Sequence, residues 1–88
     1  MTKEIISVNS IHKFIVDELL TDASVEIEPQ EDLLLSGFLD SLSVIRLVTY
    51  LEAECSASIP PEDITIEYFG TIEKIHHYVN AELPTRTQ

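Results

Sequence analysis

The chain has 88 residues, enough for one small domain in which nearly every apolar position must serve the core. Apolar residues make up 44%, mainly Ile, Leu and Val, with 7% aromatics and no tryptophan, which argues against intrinsic disorder. Sixteen Asp and Glu against five Lys and Arg give a formal charge of −11, and that excludes the clustered cations needed to bind nucleic acid or an anionic membrane surface.

From Thr2 to Leu20 there is neither Gly nor Pro, and Val8, Ile11, Ile15 and Leu19 recur at intervals of three and four. That spacing predicts an amphipathic first helix. Ile5, Phe14 and Val16 widen its apolar stripe, while Lys3, Glu4, Lys13, Asp17 and Glu18 suit the solvated side. Residues 21 to 40 hold no period and are broken by Pro29 and Gly37. So long a connection in so small a domain must be packed, and Leu33, Leu34, Leu35, Phe38 and Leu39 predict a loop tacked onto the core, with a short helical turn near Glu31 to Leu35.

Ser41 to Cys55 predicts a second helix, with Val44, Leu47, Val48, Leu51 and Cys55 on one face. Leu42, Ile45 and Thr49 form a flanking line beside Arg46. Pro60-Pro61 stops that helix, and Pro61 can open a short one that runs to Phe69 and ends at Gly70. Thr71 can cap a last helix carrying Ile72, Ile75, Val79 and Leu83, which Pro84 ends. No run alternates with period two. The expected architecture is therefore all-α: a bundle of three longer helices and one short one, with a long first loop. Residues 1–83 form the domain, and 84–88 read as a flexible C-terminal tail.

Few residues suggest chemistry. Cys55 lies on the apolar stripe of the second helix and reads as a core residue; being single, it excludes a disulfide framework and a cysteine-rich zinc site. His76 and His77 are adjacent, so on a helix they point about 100° apart and make a poor metal pair, and His12 is distant. No metal site is expected, nor a calcium loop. Tyr50, Tyr68 and Tyr78 read as helix-packing residues. No G-x-S-x-G elbow surrounds Ser41, which removes a serine-hydrolase reading. No stretch approaches the ~20 apolar residues of a membrane span, and no signal-peptide core opens the chain, so a cytoplasmic monomer without membrane insertion is the expectation.

The focus is Gly37-Phe38-Leu39-Asp40-Ser41-Leu42, where an irregular loop enters a helix. Either Asp40 or Ser41 can cap the first turn, which by itself explains both. A serine there also sits where backbone N–H groups and the helix dipole favour a phosphate. Leu42 and Ile45 offer an apolar landing surface beside it, and Asp40 could help to hold a divalent cation during phosphoryl transfer. Asp17, Glu18, Asp22, Glu26, Glu28, Glu31, Asp32 and Asp40 lie between Lys13 and Arg46 with no Lys or Arg among them. Such a field steers the chain toward basic patches on other proteins.

In Asp40-Ser41-Leu42, Leu47-Val48, Leu51-Glu52, Ile59-Pro60 and Phe69-Gly70-Thr71-Ile72, the chain resembles the acyl carrier protein family with its aminoacyl and peptidyl relatives, over almost its whole length. The resemblance implies an acyl-carrier-like four-helix fold and a covalent 4′-phosphopantetheine on Ser41, with Asp40 and Leu42 completing the attachment motif. It also implies a non-catalytic role: a phosphopantetheinyl transferase adds the arm, whose thiol holds an acyl or aminoacyl group as a thioester. The partners implied are that transferase, a loading enzyme, and downstream acyltransferases, synthases or modifying enzymes. Contact with them would centre on Leu42, Ile45, Arg46 and Thr49. Ser43, Arg46 and Thr49 depart from the acidic residues usual in fatty-acid-synthesis members, and the Phe-Leu-Asp-Ser-Leu sequence departs from the Gly-Gly-His-Ser form of many peptidyl carriers. A freestanding carrier for polyketide, nonribosomal peptide or similar specialised biosynthesis is the resulting expectation. Within the family, D-alanyl and fatty-acid carriers are the alternatives. Outside it, the alternative is an unmodified acidic helical adaptor for a basic protein surface.

Overall fold

A computed structural model describes residues 4–20 and 26–86, and among these every regular element is helical. The first helix, α1 (Val8–Phe14), starts where Ser7 accepts a hydrogen bond from the Ser10 N–H at 3.1 Å. It therefore begins later than the apolar pattern allowed: Ile5 precedes it and is exposed, and Thr2 and Lys3 lie outside the described residues. The helix continues as a π-helical turn, Ile15–Leu19, closed by Leu20 N–H on the Ile15 carbonyl at 3.0 Å. Ile11 and Ile15 are fully buried, with Val8, Phe14 and Leu19 packed beside them.

The described part of the connection to the second helix, residues 26–40, is packed as expected, but by different means. Ile27, Leu33 and Leu39 are buried, and the backbone is bonded to the far side of the domain: Leu33 N–H to the Gly70 carbonyl at 2.7 Å, and Glu73 N–H to the Pro29 carbonyl at 3.0 Å. The helical turn expected near Glu31 to Leu35 is replaced by non-helical turns. There the Asp32 carboxylate accepts from the Leu35 N–H at 2.6 Å and its carbonyl accepts from the Ser36 hydroxyl, a local pattern that competes with helix. Leu39 N–H then closes onto the Leu33 carbonyl at 3.0 Å. This pinches residues 34–38 into a bulge, turned by Gly37 at φ +87°. Leu34 and Phe38 lean on the core, but Leu35, expected to be packed, is 73% exposed.

The second helix, α2 (Ser41–Cys55), has the expected bounds and buries Leu47, Val48 and Leu51. It stops at Ser56, which takes the left-handed conformation at φ 52°, before the chain reaches Pro60. The single short helix expected from Pro61 to Phe69 is divided into a 3₁₀ turn (Pro61–Asp63) and α3 (Ile66–Phe69). The chain leaves the helical path at Ile64 and Thr65, and the Asp63 carboxylate lies buried under Tyr78, whose hydroxyl donates to it at 2.7 Å. Gly70 ends α3 in tight contact, since a Cβ there would sit 2.5 Å from the Ile66 carbonyl oxygen.

Thr71 caps α4 (Ile72–His77) by accepting from the Lys74 N–H at 3.1 Å. A second π-helical turn (Tyr78–Glu82) follows and leads into α5 (Leu83–Arg86), so the helix passes through Pro84 instead of ending there. The wide turn is the reason: Leu83 N–H reaches back five residues to the Tyr78 carbonyl, and the next donor in the ladder is the one proline lacks. Of the expected tail, Thr87 and Gln88 lie outside the described residues. Ile72, Ile75, Val79 and Leu83 are buried along this composite helix. Helix α4 packs on α1 and α3, and the π turn of α1 packs on α2, enclosing one core. Asn80 fastens the N-terminal segment to the last helix, accepting from the Ile5 N–H and donating to the Ile6 carbonyl at 3.0 Å.

Candidate functional site at the head of the second helix

The loop clamp sets where α2 begins. Leu39 is 4% exposed and tied to Leu33, so the next residue, Asp40, is the first free to turn outward. Asp40 is the cap: its Oδ1 accepts from the Ser43 N–H at 2.8 Å. That backbone hydrogen bond, helped by the Ser43 side chain, holds the exposed carboxyl below its ordinary range. With Asp40 capping, Ser41 becomes the first helical residue. Its side chain is exposed, and no hydrogen bond among the described residues uses its hydroxyl. It stands at the positive end of a 15-residue helix whose first-turn N–H groups point the same way. A phosphodiester built on this oxygen would meet free donors and a favourable dipole with no wall around it. The residues present therefore fit a phosphate-linked group.

The four proposed contact residues lie on one exposed side of α2. Leu42 is 67% exposed and Ile45 60%, with Arg46 and Thr49 also in solvent. Arg46 is not an isolated charge: its guanidinium lies 3.9 Å from Glu18 on the π turn that follows α1, both half-exposed, a contact of small energy that still directs the side chain. The Thr49 hydroxyl donates to the Ile45 carbonyl at 3.0 Å. Besides Ile5, two further apolar side chains are exposed that the sequence reading did not assign to a surface, Leu35 on the loop bulge and Ile66 on α3. Neither lies in a stretch whose period could have revealed it.

The other sequence candidates go elsewhere. Burial, with Glu54 adding to it, pushes the half-buried Cys55 thiol up, toward an inert side chain. His76 contacts Glu4 at 2.5 Å and His77 lies 3.9 Å from Glu82, so the two neighbours engage different partners. Among the described residues there is no cluster of three His, Cys, Asp or Glu able to hold a metal, and no helix long and apolar enough to cross a membrane.

A four-helix bundle that displays a short polar motif at the head of its second helix is the architecture of a carrier domain. The sequence model of the phosphopantetheine attachment site family matches residues 13–79, about three quarters of the chain, and runs from the end of α1 through α2 and α3 to the end of α4. The chain belongs to that family, and its fold is that of the acyl carrier proteins. The prosthetic group of the family is covalently bound 4′-phosphopantetheine, and its members are generally non-catalytic carriers that meet phosphopantetheinyl transferases and biosynthetic enzymes. No curated protein matches the chain.

Proposed function

We propose that the 4′-phosphopantetheine is attached to the Ser41 hydroxyl and that the chain presents an acyl or aminoacyl thioester to partner enzymes of a specialised pathway, of the polyketide or nonribosomal peptide kind. The single observation carrying the attachment point is the exposed Ser41 oxygen at the first position of α2, beside a cap that Asp40 already supplies. When bound, the group supplies a thiol on a flexible arm, a reactive atom that the twenty amino acids could not project as far.

The chain's own residues do the positioning. Asp40 fixes the first turn, and by capping leaves Ser41 unencumbered for a transferase. Leu42 and Ile45 give that enzyme, and those that follow, an apolar surface immediately beside the attachment point. Arg46 and Thr49 replace the acidic side chains that a basic partner surface would seek. A loading enzyme with a complementary face is thereby favoured over the fatty-acid type.

The test is direct. Incubate the purified chain with coenzyme A, magnesium and a broad-specificity phosphopantetheinyl transferase, then measure the intact mass. One phosphopantetheine should be gained by the chain and none by Ser41→Ala. Loss of the gain in Ser41→Ala while circular dichroism stays helical establishes the site. A gain that survives the substitution moves the site elsewhere, and no gain in either chain defeats the reading.

A further inference from the structure

A hollow of about 370 Å³ lies on the outer seam between α1 and α2, walled by Phe14, Ile45, Arg46, Thr49, Tyr50 and Ala53. That volume falls within the roughly 300–1,000 Å³ typical of small-molecule sites. Its surface is more apolar than the residue names suggest. Phe14 and Tyr50 stack face to face, centroids 4.0 Å apart and planes within 9°, and present one continuous aromatic wall. The Thr49 hydroxyl is engaged by the Ile45 carbonyl, so its methyl is what remains for the hollow. The Arg46 guanidinium turns to Glu18, which leaves its aliphatic stem along the rim.

The hollow is also in line with the attachment point. Ser41, Ile45, Thr49 and Ala53 follow at four-residue intervals, each the helical neighbour of the last in a row that winds about 40° per step around α2. Thr49 lies about 12 Å along the axis from Ser41, at 1.5 Å per residue. An extended phosphopantetheine has about as many chain atoms as five residues of backbone, roughly 16 Å. An arm laid down this row brings its thiol to Thr49, and whatever is esterified there lies over the ring pair. By contrast, Leu47, Leu51 and Ile75 on the inner side are fully buried against one another.

We infer that this outer hollow is the resting place of the tethered cargo, and that the cargo is an apolar acyl group, alkyl or aryl, held on the surface of the bundle and not among its core residues. This rests on the attachment at Ser41. An apolar chain covers Phe14, Ile45 and Tyr50 and removes their exposed surface from water. A charged or strongly polar cargo would lose hydration there against the ring faces of Phe14 and Tyr50 and the side chains of Ile45 and Ala53, which offer it no hydrogen bond.

The test compares acetyl and octanoyl forms of the isotopically labelled chain, each prepared by transfer of the acylated arm and verified by intact mass. Octanoyl, and not acetyl, should shift the NMR signals of Ile45, Thr49, Tyr50, Ala53 and the Phe14 ring, while Leu47, Leu51, Ile75 and Val79 stay put. Ala53→Gln, at an exposed helix position, should abolish the difference without altering the fold by circular dichroism. Docking for about three quarters of the time should slow hydroxylamine cleavage of the octanoyl thioester about fourfold relative to Ala53→Gln. Shifts concentrated on the core residues, or identical spectra for the two acyl forms, overturn the inference while leaving the carrier reading intact. Absence of the mass gain takes both down together.

Discussion

Leu33 and Leu35 stand two residues apart in a run of three leucines, and the structure gives them opposite fates. Leu33 has no exposed surface; Leu35 is 73% exposed at the bulge. Truncating Leu33 to Ala removes the equivalent of three buried carbons, about 2.4 kcal/mol at 0.8 kcal/mol each. The cavity adds to this, and buried Leu→Ala changes usually total about 2.7–5 kcal/mol. A loss near 3 kcal/mol is therefore expected. With an unfolding entropy of about 2.1 cal/mol/K per residue over 88 residues, that lowers Tm by roughly 16 °C. Leu35→Ala should stay within about 0.5 kcal/mol of the parent, as exposed substitutions do.

The assay is urea denaturation of both variants followed by circular dichroism, with a common slope verifying that the midpoints report stability. The pair controls for helix propensity, sequence context and the residue exchanged, so the difference between them isolates burial. Equal losses in the two variants would refute the loop arrangement, because they would mean that Leu35 too is packed. A loss at Leu35 alone would invert the register of the bulge and displace the start of α2 with it.

Tyr78→Phe removes the hydroxyl that donates to the buried Asp63 carboxylate at 2.7 Å. Both residues keep other interactions, so the expected cost is about 1–2 kcal/mol, read from chemical denaturation, and no measurable cost would show that the bond contributes nothing. The Asp40 cap implies a pH signature: a carboxyl held below its unfolded value, near 3.8, contributes stability above that value and loses it as pH falls through the folded one. Asp40→Asn should therefore flatten the acid limb of a Tm-against-pH profile below about pH 4, and an unchanged limb would mean that the cap does not favour the charged form. Arg46→Glu places a second carboxylate beside Glu18 and should slow charging by the proposed loading enzyme, with the larger effect at low salt. Equal charging rates for the two forms would reduce Arg46 to a solvated side chain.

The long helices were legible because their burial is periodic. Leu47, Val48 and Leu51 declare the inner face of α2, and Thr71 with Ile72, Ile75, Val79 and Leu83 declares the cap and stripe of the last helix. The π turns at Ile15–Leu19 and Tyr78–Glu82 left no such mark, because one wide turn preserves the buried face on either side of it. That is also why Pro84 read as a terminator: the rule that proline breaks a helix assumes a regular ladder upstream. Asp63 and Tyr78 are fifteen residues apart on different elements, and a charge buried by pairing looks in sequence like any surface aspartate. At the candidate site, sequence left Asp40 and Ser41 as competing caps. Geometry separates them: the Asp40 carboxylate reaches the Ser43 N–H, three residues on, the spacing at which a cap side chain engages the first turn.

The separation matters for a tethered cargo. The effective concentration of a group on a flexible arm depends on the arm's length and on the position of its root. A root on a fraying helix end would smear the cargo over a larger volume and lower its concentration at every acceptor. Here the first turn of α2 is held from two directions. Asp40 closes it from within, and the Leu33–Gly70 and Leu33–Leu39 backbone bonds tie the preceding loop to the far end of α3. Because those bonds run through residues buried in the shared core, the stiffness of the proposed root is coupled to the packing of α3 and α4. A mutation at Leu33 should therefore reach Ser41 without touching it: hydrogen exchange at the Leu42 and Ser43 amides should rise in Leu33→Ala and remain at the parent rate in Leu35→Ala. Unchanged protection in the Leu33 variant would show that the cap alone holds the root.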